Sequence, residues 1–135
     1  MTRVLVDTSA YAAFLRDQPA VREAVQRASE IFLSVIVLGE LRSGFLKGGR
    51  AGQNEARLQQ FLGSARCAIL VIDADTAERY AVIHDYLRRG GTPVSPNDLW
   101  IAASAAQHGL RILTLDADFD RIPHAIVDKF QAPSA

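Results

Sequence analysis

The sequence predicts an α/β fold, a three-layer sandwich of helices on a central parallel sheet of four to five strands, and two observations predict it. Short apolar runs rich in β-branched residues alternate with longer stretches of helical spacing along the whole chain. No internal repeat, low-complexity segment or linker interrupts that alternation. Strands separated by helices throughout pair in parallel and need cover on both faces. The 135 residues are therefore read as one domain, 1–135, long enough to bury a core.

Each element has its own local reason. Val4 to Val6 form a β-branched run that ends at Asp7, and SAYAAFL beyond it has the small and apolar character of a helix. Gln18-Pro19 breaks the pattern, VREAVQRA resumes as a second helical piece, and IFLSV is the second strand. In VLGELRSGFL, helical spacing gathers Val37, Leu38, Leu41 and Phe45 on one side and leaves Glu40 off that stripe. The Gly-rich basic turn KGGRAG leads to the amphipathic NEARLQQFL and then to AILVI, the third strand. From Asp75, DTAERYAVIHDYL reads as a helix capped by Asp75 with Glu78 three residues on, and GGT stops it. Ser95-Pro96-Asn97-Asp98 has the form of a capping box with proline at the first helical position, opening a helix that runs to His108. RILTL is the fourth strand with Asp116 at its end, and AIV near the carboxyl end is a candidate fifth.

Composition narrows the function. Fifteen basic and fifteen acidic residues cancel, so no global positive field announces a nucleic-acid binder, and any attraction to phosphate must be local. The single cysteine, Cys67, excludes an intramolecular disulfide and reads as a small buried residue in CAILVI. The amino terminus turns polar after a short apolar run, without the apolar core of a signal peptide, and no stretch reaches the roughly 20 apolar residues of a membrane span. A cytoplasmic protein with no membrane association is expected.

Four acids then stand out. Taken singly, each has a plain structural account: Asp7 as a helix N-cap, Asp98 inside a capping box, Glu40 on a wet helix face, Asp116 in an Asp-rich turn. Separate accounts do not explain why acids stand at strand ends and helix starts, because in a parallel sheet those positions open onto one crevice beyond the carboxyl ends of the strands. Carboxylates brought that close repel one another unless a cation sits among them, and an all-oxygen donor set suits Mg²⁺ or Mn²⁺. His84, His108 and His124 are scattered, which argues against zinc. An ion held this way keeps waters and can neutralise phosphoryl charge, the requirement for phosphodiester hydrolysis.

The segments VLVDTSAYAAFL, SVIVLGELRSG and SPNDLWIAASAAQHGLRILTLDADFDRIP, with the intervening helices in order, resemble the PIN-domain ribonucleases, and among them the VapC-type toxins of bacterial toxin–antitoxin pairs. The resemblance spans nearly the whole chain. It implies that Asp7, Glu40 and Asp98 are the core acids around Mg²⁺ or Mn²⁺, with Asp116, rather than Asp118, in the fourth and more variable position. It also implies that Thr8 supports the site; Asn97 and Thr114 can do the same through hydrogen bonds to ligands or waters. The activity implied is endoribonucleolytic cleavage of structured RNA such as tRNA or rRNA, which arrests translation. Implied partners are a VapB-type antitoxin, a second copy of the chain in a homodimer, and operator DNA only through the antitoxin complex.

Other readings stand beside these. Arg42, Lys47 and Arg50 offer a local basic handle for RNA phosphates, although a solvated basic loop accounts for them equally well. Trp100, between Leu99 and Ile101, reads as core packing rather than a base-stacking platform. A non-catalytic α/β interaction module, whose acids are only caps, would show no stabilisation by Mn²⁺. A phosphotransfer domain of receiver or dehalogenase-like type also places an Asp at a strand end, but VDTS lacks the two-aspartate DxD spacing of the latter, and the adjacent acidic pair and late strand lysine of a receiver are missing.

Overall fold

The computed structural model describes residues 2–132. Five strands, β1 (Arg3–Val6), β2 (Glu30–Ser34), β3 (Cys67–Leu70), β4 (Arg111–Thr114) and β5 (Ile126–Lys129), form one parallel sheet in the order β3-β2-β1-β4-β5. Six α-helices connect them: α1 (Thr8–Leu15) and α2 (Pro19–Arg27), α3 (Val35–Lys47) and α4 (Ala51–Leu62), α5 (Ala74–Gly90) and α6 (Pro96–His108). A short 3-10 helix, Ala117–Arg121, follows β4. From β1 the chain steps outward through β2 to β3, then returns to the far side of β1 for β4 and β5. Right-handed crossovers in opposite directions put helices on opposite faces, and the three-layer sandwich results. The candidate fifth strand is real, pairing with β4.

Burial explains why β1, β2 and β4 read as continuous apolar runs. Val4, Leu5, Val6, Ile31, Leu33, Ile112 and Leu113 are all covered on both faces of the sheet. Helices seal the layers through α1 and α4, where Phe61 meets the rings of Tyr11 and Phe14 edge-on at 5.3 and 5.4 Å. Arg66, just before β3, donates to the carbonyl oxygens of Val25 and Ala28 at 3.2 and 2.6 Å, satisfying carbonyls at the end of α2.

Three sequence expectations are corrected here. The α5 cap is Asp73, not Asp75: its carboxylate accepts from the Thr76 amide at 3.1 Å while the Thr76 hydroxyl accepts from the Asp73 amide at 3.1 Å. A threonine closes this box where the usual rule looks for Glu or Gln, so the motif search landed two residues late. Cys67 is half-buried rather than buried, because β3 is an edge strand whose Ala68 and Ile69 face solvent. Trp100 is likewise half-buried and stacks on Tyr80 of α5, with ring centroids 4.1 Å apart, instead of entering the apolar core.

Leu5 is fully buried on the central strand, beside Phe32 of β2 and Ile112 of β4. Leu5→Ala is expected to lower the unfolding free energy by about 3 kcal/mol, read as a lower urea midpoint with an unchanged slope.

Candidate metal centre

Strand order reverses at β1, with β2 on one side and β4, reached only after two crossovers, on the other. In parallel sheets this switch point opens a crevice at the carboxyl ends of the strands. Asp7 follows β1 there, and Asp116 follows β4 by two residues.

Asp7 is both a cap and a site residue. Its Oδ1 accepts from the Ala10 amide and the Ser9 hydroxyl, each at 2.8 Å, and its Oδ2 accepts from the Thr114 hydroxyl. The Thr114 oxygen in turn accepts from the Asp116 amide at 2.9 Å, and Ser9 Oγ accepts from the Leu115 amide at 2.9 Å. One network thus ties the end of β1, the start of α1 and the end of β4. Only 4% exposed, Asp7 has its pKa raised, first by burial and last by the charge of Asp116; the bonds from Thr114, Ala10 and Ser9 oppose the rise. Sequence reasoning missed Ser9, whose one signal is a hydroxyl two residues beyond a strand-end acid.

Glu40 comes from α3 and is held across elements. Thr8 donates to its Oε1 at 2.7 Å and Asn97 donates to its Oε2 at 3.3 Å. The three supporting side chains Thr8, Asn97 and Thr114 therefore all bond to an acid of the crevice.

Asp98 stands in the first turn of α6, where Ser95 Oγ accepts its amide at 3.2 Å. Its carboxyl is pushed up to about 6, first by burial, then by the charge of Asp116, and further by Glu40 and Asp7; the Ser95 bond works the other way. Asp98 therefore feels the charge of the other three predicted acids. The tightest grouping differs from the expected one, however: carboxylate oxygens of Asp98, Asp116 and Asp118 lie within 4.8 Å of one another. Asp7 and Glu40 stand outside that group, and Asp118 joins it because the Asx turn in which Asp116 Oδ1 accepts the Asp118 amide at 2.9 Å folds the two acids together.

The donor set fits a hard cation. Opposite ligands of Mg²⁺ are about 4.2 Å apart, so three carboxylates within 4.8 Å need only a small closure. No histidine or cysteine belongs to the group, which is the wrong chemistry for zinc.

The basic residues named from sequence are spread out. Lys47 lines an open groove of about 520 Å³ with Gly39, Glu40, Ser43 and Asn97. Arg50 is exposed at the start of α4. Arg42 makes a two-pronged pair with Glu55, both bonds 3.0 Å, which holds α3 to α4 and occupies its guanidinium.

Residues 4–125 match the family model described as the PIN domain. The chain belongs to the PIN domain family. Among its relatives, this PIN domain is 38% identical over 91 residues to Ribonuclease VapC4 of Mycobacterium tuberculosis, an alignment covering 67% of this chain and 70% of that one. It is 32% identical over 126 residues to the tRNA(fMet)-specific endonuclease VapC of Salmonella typhimurium, covering 91% and 94%. Among solved structures, VapBC2 from Rickettsia felis bound to a DNA fragment from their promoter superposes with a TM-score of 0.86 at 25% identity, over 96% of this PIN domain and all of that chain. No helix among the described residues is long and apolar enough to cross a membrane.

The raised Asp98 pKa makes metal-free stability depend on pH with a definite sign. The native state holds the proton more tightly than the unfolded chain, so the unfolded state binds fewer protons between the ordinary value of 3.8 and about 6, and stability falls as pH rises through that window. In EDTA, the melting temperature is expected to drop from pH 4 to pH 7. Asp98→Asn flattens the drop, and a flat wild-type profile would show that Asp98 is not held above its ordinary pKa.

Proposed function

We propose that this PIN domain is a divalent-metal-dependent endoribonuclease and the toxin member of a VapBC-type toxin–antitoxin pair. The observation that carries the reading is the trio of carboxylates within 4.8 Å, one of them pushed to about pKa 6 by burial and then by the charge of its neighbours. Caps alone do not account for it. A helix cap is satisfied by one carboxylate, whereas three at this distance destabilise the fold unless the charge is put to use.

Asp98, Asp116 and Asp118 would hold Mg²⁺ or Mn²⁺, with Asp7 and Glu40 completing the acidic wall. Bound there, the ion supplies a water activated for attack on the phosphodiester and neutralises charge on the phosphoryl oxygen. The protein's part is positioning. Ser9 and Thr114 fix both oxygens of Asp7, and Thr8 and Asn97 fix both oxygens of Glu40, so neither acid has to be ordered when substrate arrives. Lys47, in the groove that Glu40 also lines, supplies a cation for RNA phosphates in a chain with no net charge, and the exposed Arg50 at the start of α4 is a further candidate.

One relative named a ribonuclease and one named a tRNA(fMet)-specific endonuclease support RNA as substrate, and the latter name favours tRNA over rRNA. The Rickettsia complex supports a VapB-type antitoxin as partner, with promoter DNA reached through that partner, since the neutral toxin offers no broad basic face of its own. The toxin itself acts as a homodimer.

End-labelled total tRNA incubated with the purified protein and Mg²⁺ or Mn²⁺ should be cut, with cleavage lost in EDTA and restored by added metal. Asp98→Asn should lower cleavage by more than about 100-fold while leaving the circular dichroism spectrum unchanged. Cleavage that persists in EDTA would exclude this reading. Thr114→Val should weaken Mn²⁺ binding about 10- to 100-fold in calorimetry, because it removes the oxygen that holds the Asp116 amide as well as the bond that fixes Asp7.

A further inference from the structure

The acids of the site have one cationic neighbour that neither the metal nor the hydroxyl network explains. Of the ion pairs among the described residues, only that of Arg121 reaches an acid of the crevice: its Nη1 lies 3.6 Å from Asp118 Oδ1. It is also the longest of them, the others falling between 2.6 and 3.4 Å. The other contact of the same nitrogen is a 3.4 Å hydrogen bond to the carbonyl oxygen of Pro93, in the segment that leads into α6 and Asp98. Both contacts are at the outer limit of their kind, and the side chain is half-exposed. A guanidinium placed to stabilise the fold looks different here: Arg111 grips Asp128 with two bonds of 2.8 and 2.7 Å, and Arg42 grips Glu55 with two of 3.0 Å. Arg121 is held lightly, beside the acids, and it also lines an open groove of about 590 Å³ with Tyr86, Arg89, Thr92 and Pro123.

We propose that Arg121 is a phosphate-binding residue of the nuclease site, resting on Asp118 as an internal counter-ion and turning to the RNA backbone when substrate binds. The inference rests on the nuclease reading. Its physical logic is exchange: a divalent ion and Arg121 compete for the charge of Asp118, and a guanidinium displaced from one oxyanion finds another in the phosphate next to the cut. Arginine suits this task because its planar fork matches a phosphate as well as a carboxylate and stays charged throughout. The 3-10 helix supplies the geometry, setting Arg121 three residues after Asp118 and five after Asp116, so that the cation is carried by the same turn that gathers the acids.

The two halves of the proposal pull measurable quantities in opposite directions. Arg121→Gln should tighten Mn²⁺ binding by roughly three- to tenfold in calorimetry without RNA, because a positive charge is removed from beside a cation site. The same variant should bind a fluorescein-labelled, sequence-randomised RNA 12-mer in EDTA roughly fivefold more weakly, with the slope of log affinity against log salt smaller by about 0.7, the value for one lost contact on a single strand. Arg121→Lys keeps the charge and should restore most of both values. A purely structural arginine would instead lower the melting temperature and weaken metal and RNA binding together, and that result overturns the proposal. So does RNA affinity unchanged in Arg121→Gln while wild type binds RNA and cuts tRNA, which leaves the nuclease reading standing. If wild-type protein binds neither Mn²⁺ nor RNA, both readings fall.

Discussion

Burying acids side by side in one crevice, against their loss of hydration first and their mutual repulsion second, is the constraint that the hydrogen bonding around them answers. The sheet order β3-β2-β1-β4-β5 brings the carboxyl ends of β1 and β4 side by side, and the loops that leave them carry Asp7, Asp116 and Asp118. Helix α6 adds Asp98 and α3 adds Glu40 at the same end. Burial and neighbouring charge then raise the pKa of Asp98 and of Asp7, so the fold holds a local electrostatic penalty wherever no cation offsets it. Such a penalty at a topological switch point is what makes the crevice a candidate site.

Hydroxyls and amides keep that penalty tolerable. Ser9 and Thr114 donate to Asp7, Thr8 and Asn97 donate to Glu40, and each bond crosses from one element to another or closes a first helical turn. The network therefore does two things at once: it stabilises charged groups that are partly out of water, and it locks β1, α1, α3, β4 and α6 into fixed relation. Capping and site chemistry are not alternatives here. Asp7 caps α1 through the Ala10 amide, and Asp116 caps the 3-10 helix through the Asp118 amide, while both remain members of the acidic wall.

Much of this was legible in the residues. Apolar runs buried on both faces cannot alternate, so Val4–Val6 and Ile112–Leu113 read as parallel strands before any coordinates, and the helices between them dictated two covering layers. Less legible were features whose local signal is ambiguous. The cap of α5 fell two residues early because Thr76 closes a box that usually needs Glu or Gln. Cys67 and Trp100 read as core because apolar neighbours surround them in sequence, but an edge strand and a Tyr80 stack leave both half-exposed.

By itself the sequence determined the fold class, the order of elements and the placement of Asp7 and Asp116 at strand ends, Asp98 in the first turn of a helix and Glu40 on a helix off its apolar stripe, because spacing and residue type are local properties. Tertiary structure alone decided which of them lie closest together. Distances between β1, α6 and the turn after β4 depend on strand order and crossover direction, and neither is written at any one position. That is why Asp118 enters the tightest group while Asp7 and Glu40 stand back on their hydrogen bonds, why Ser9 becomes a second tether on Asp7, and why the lightly held Arg121 comes to rest beside Asp118.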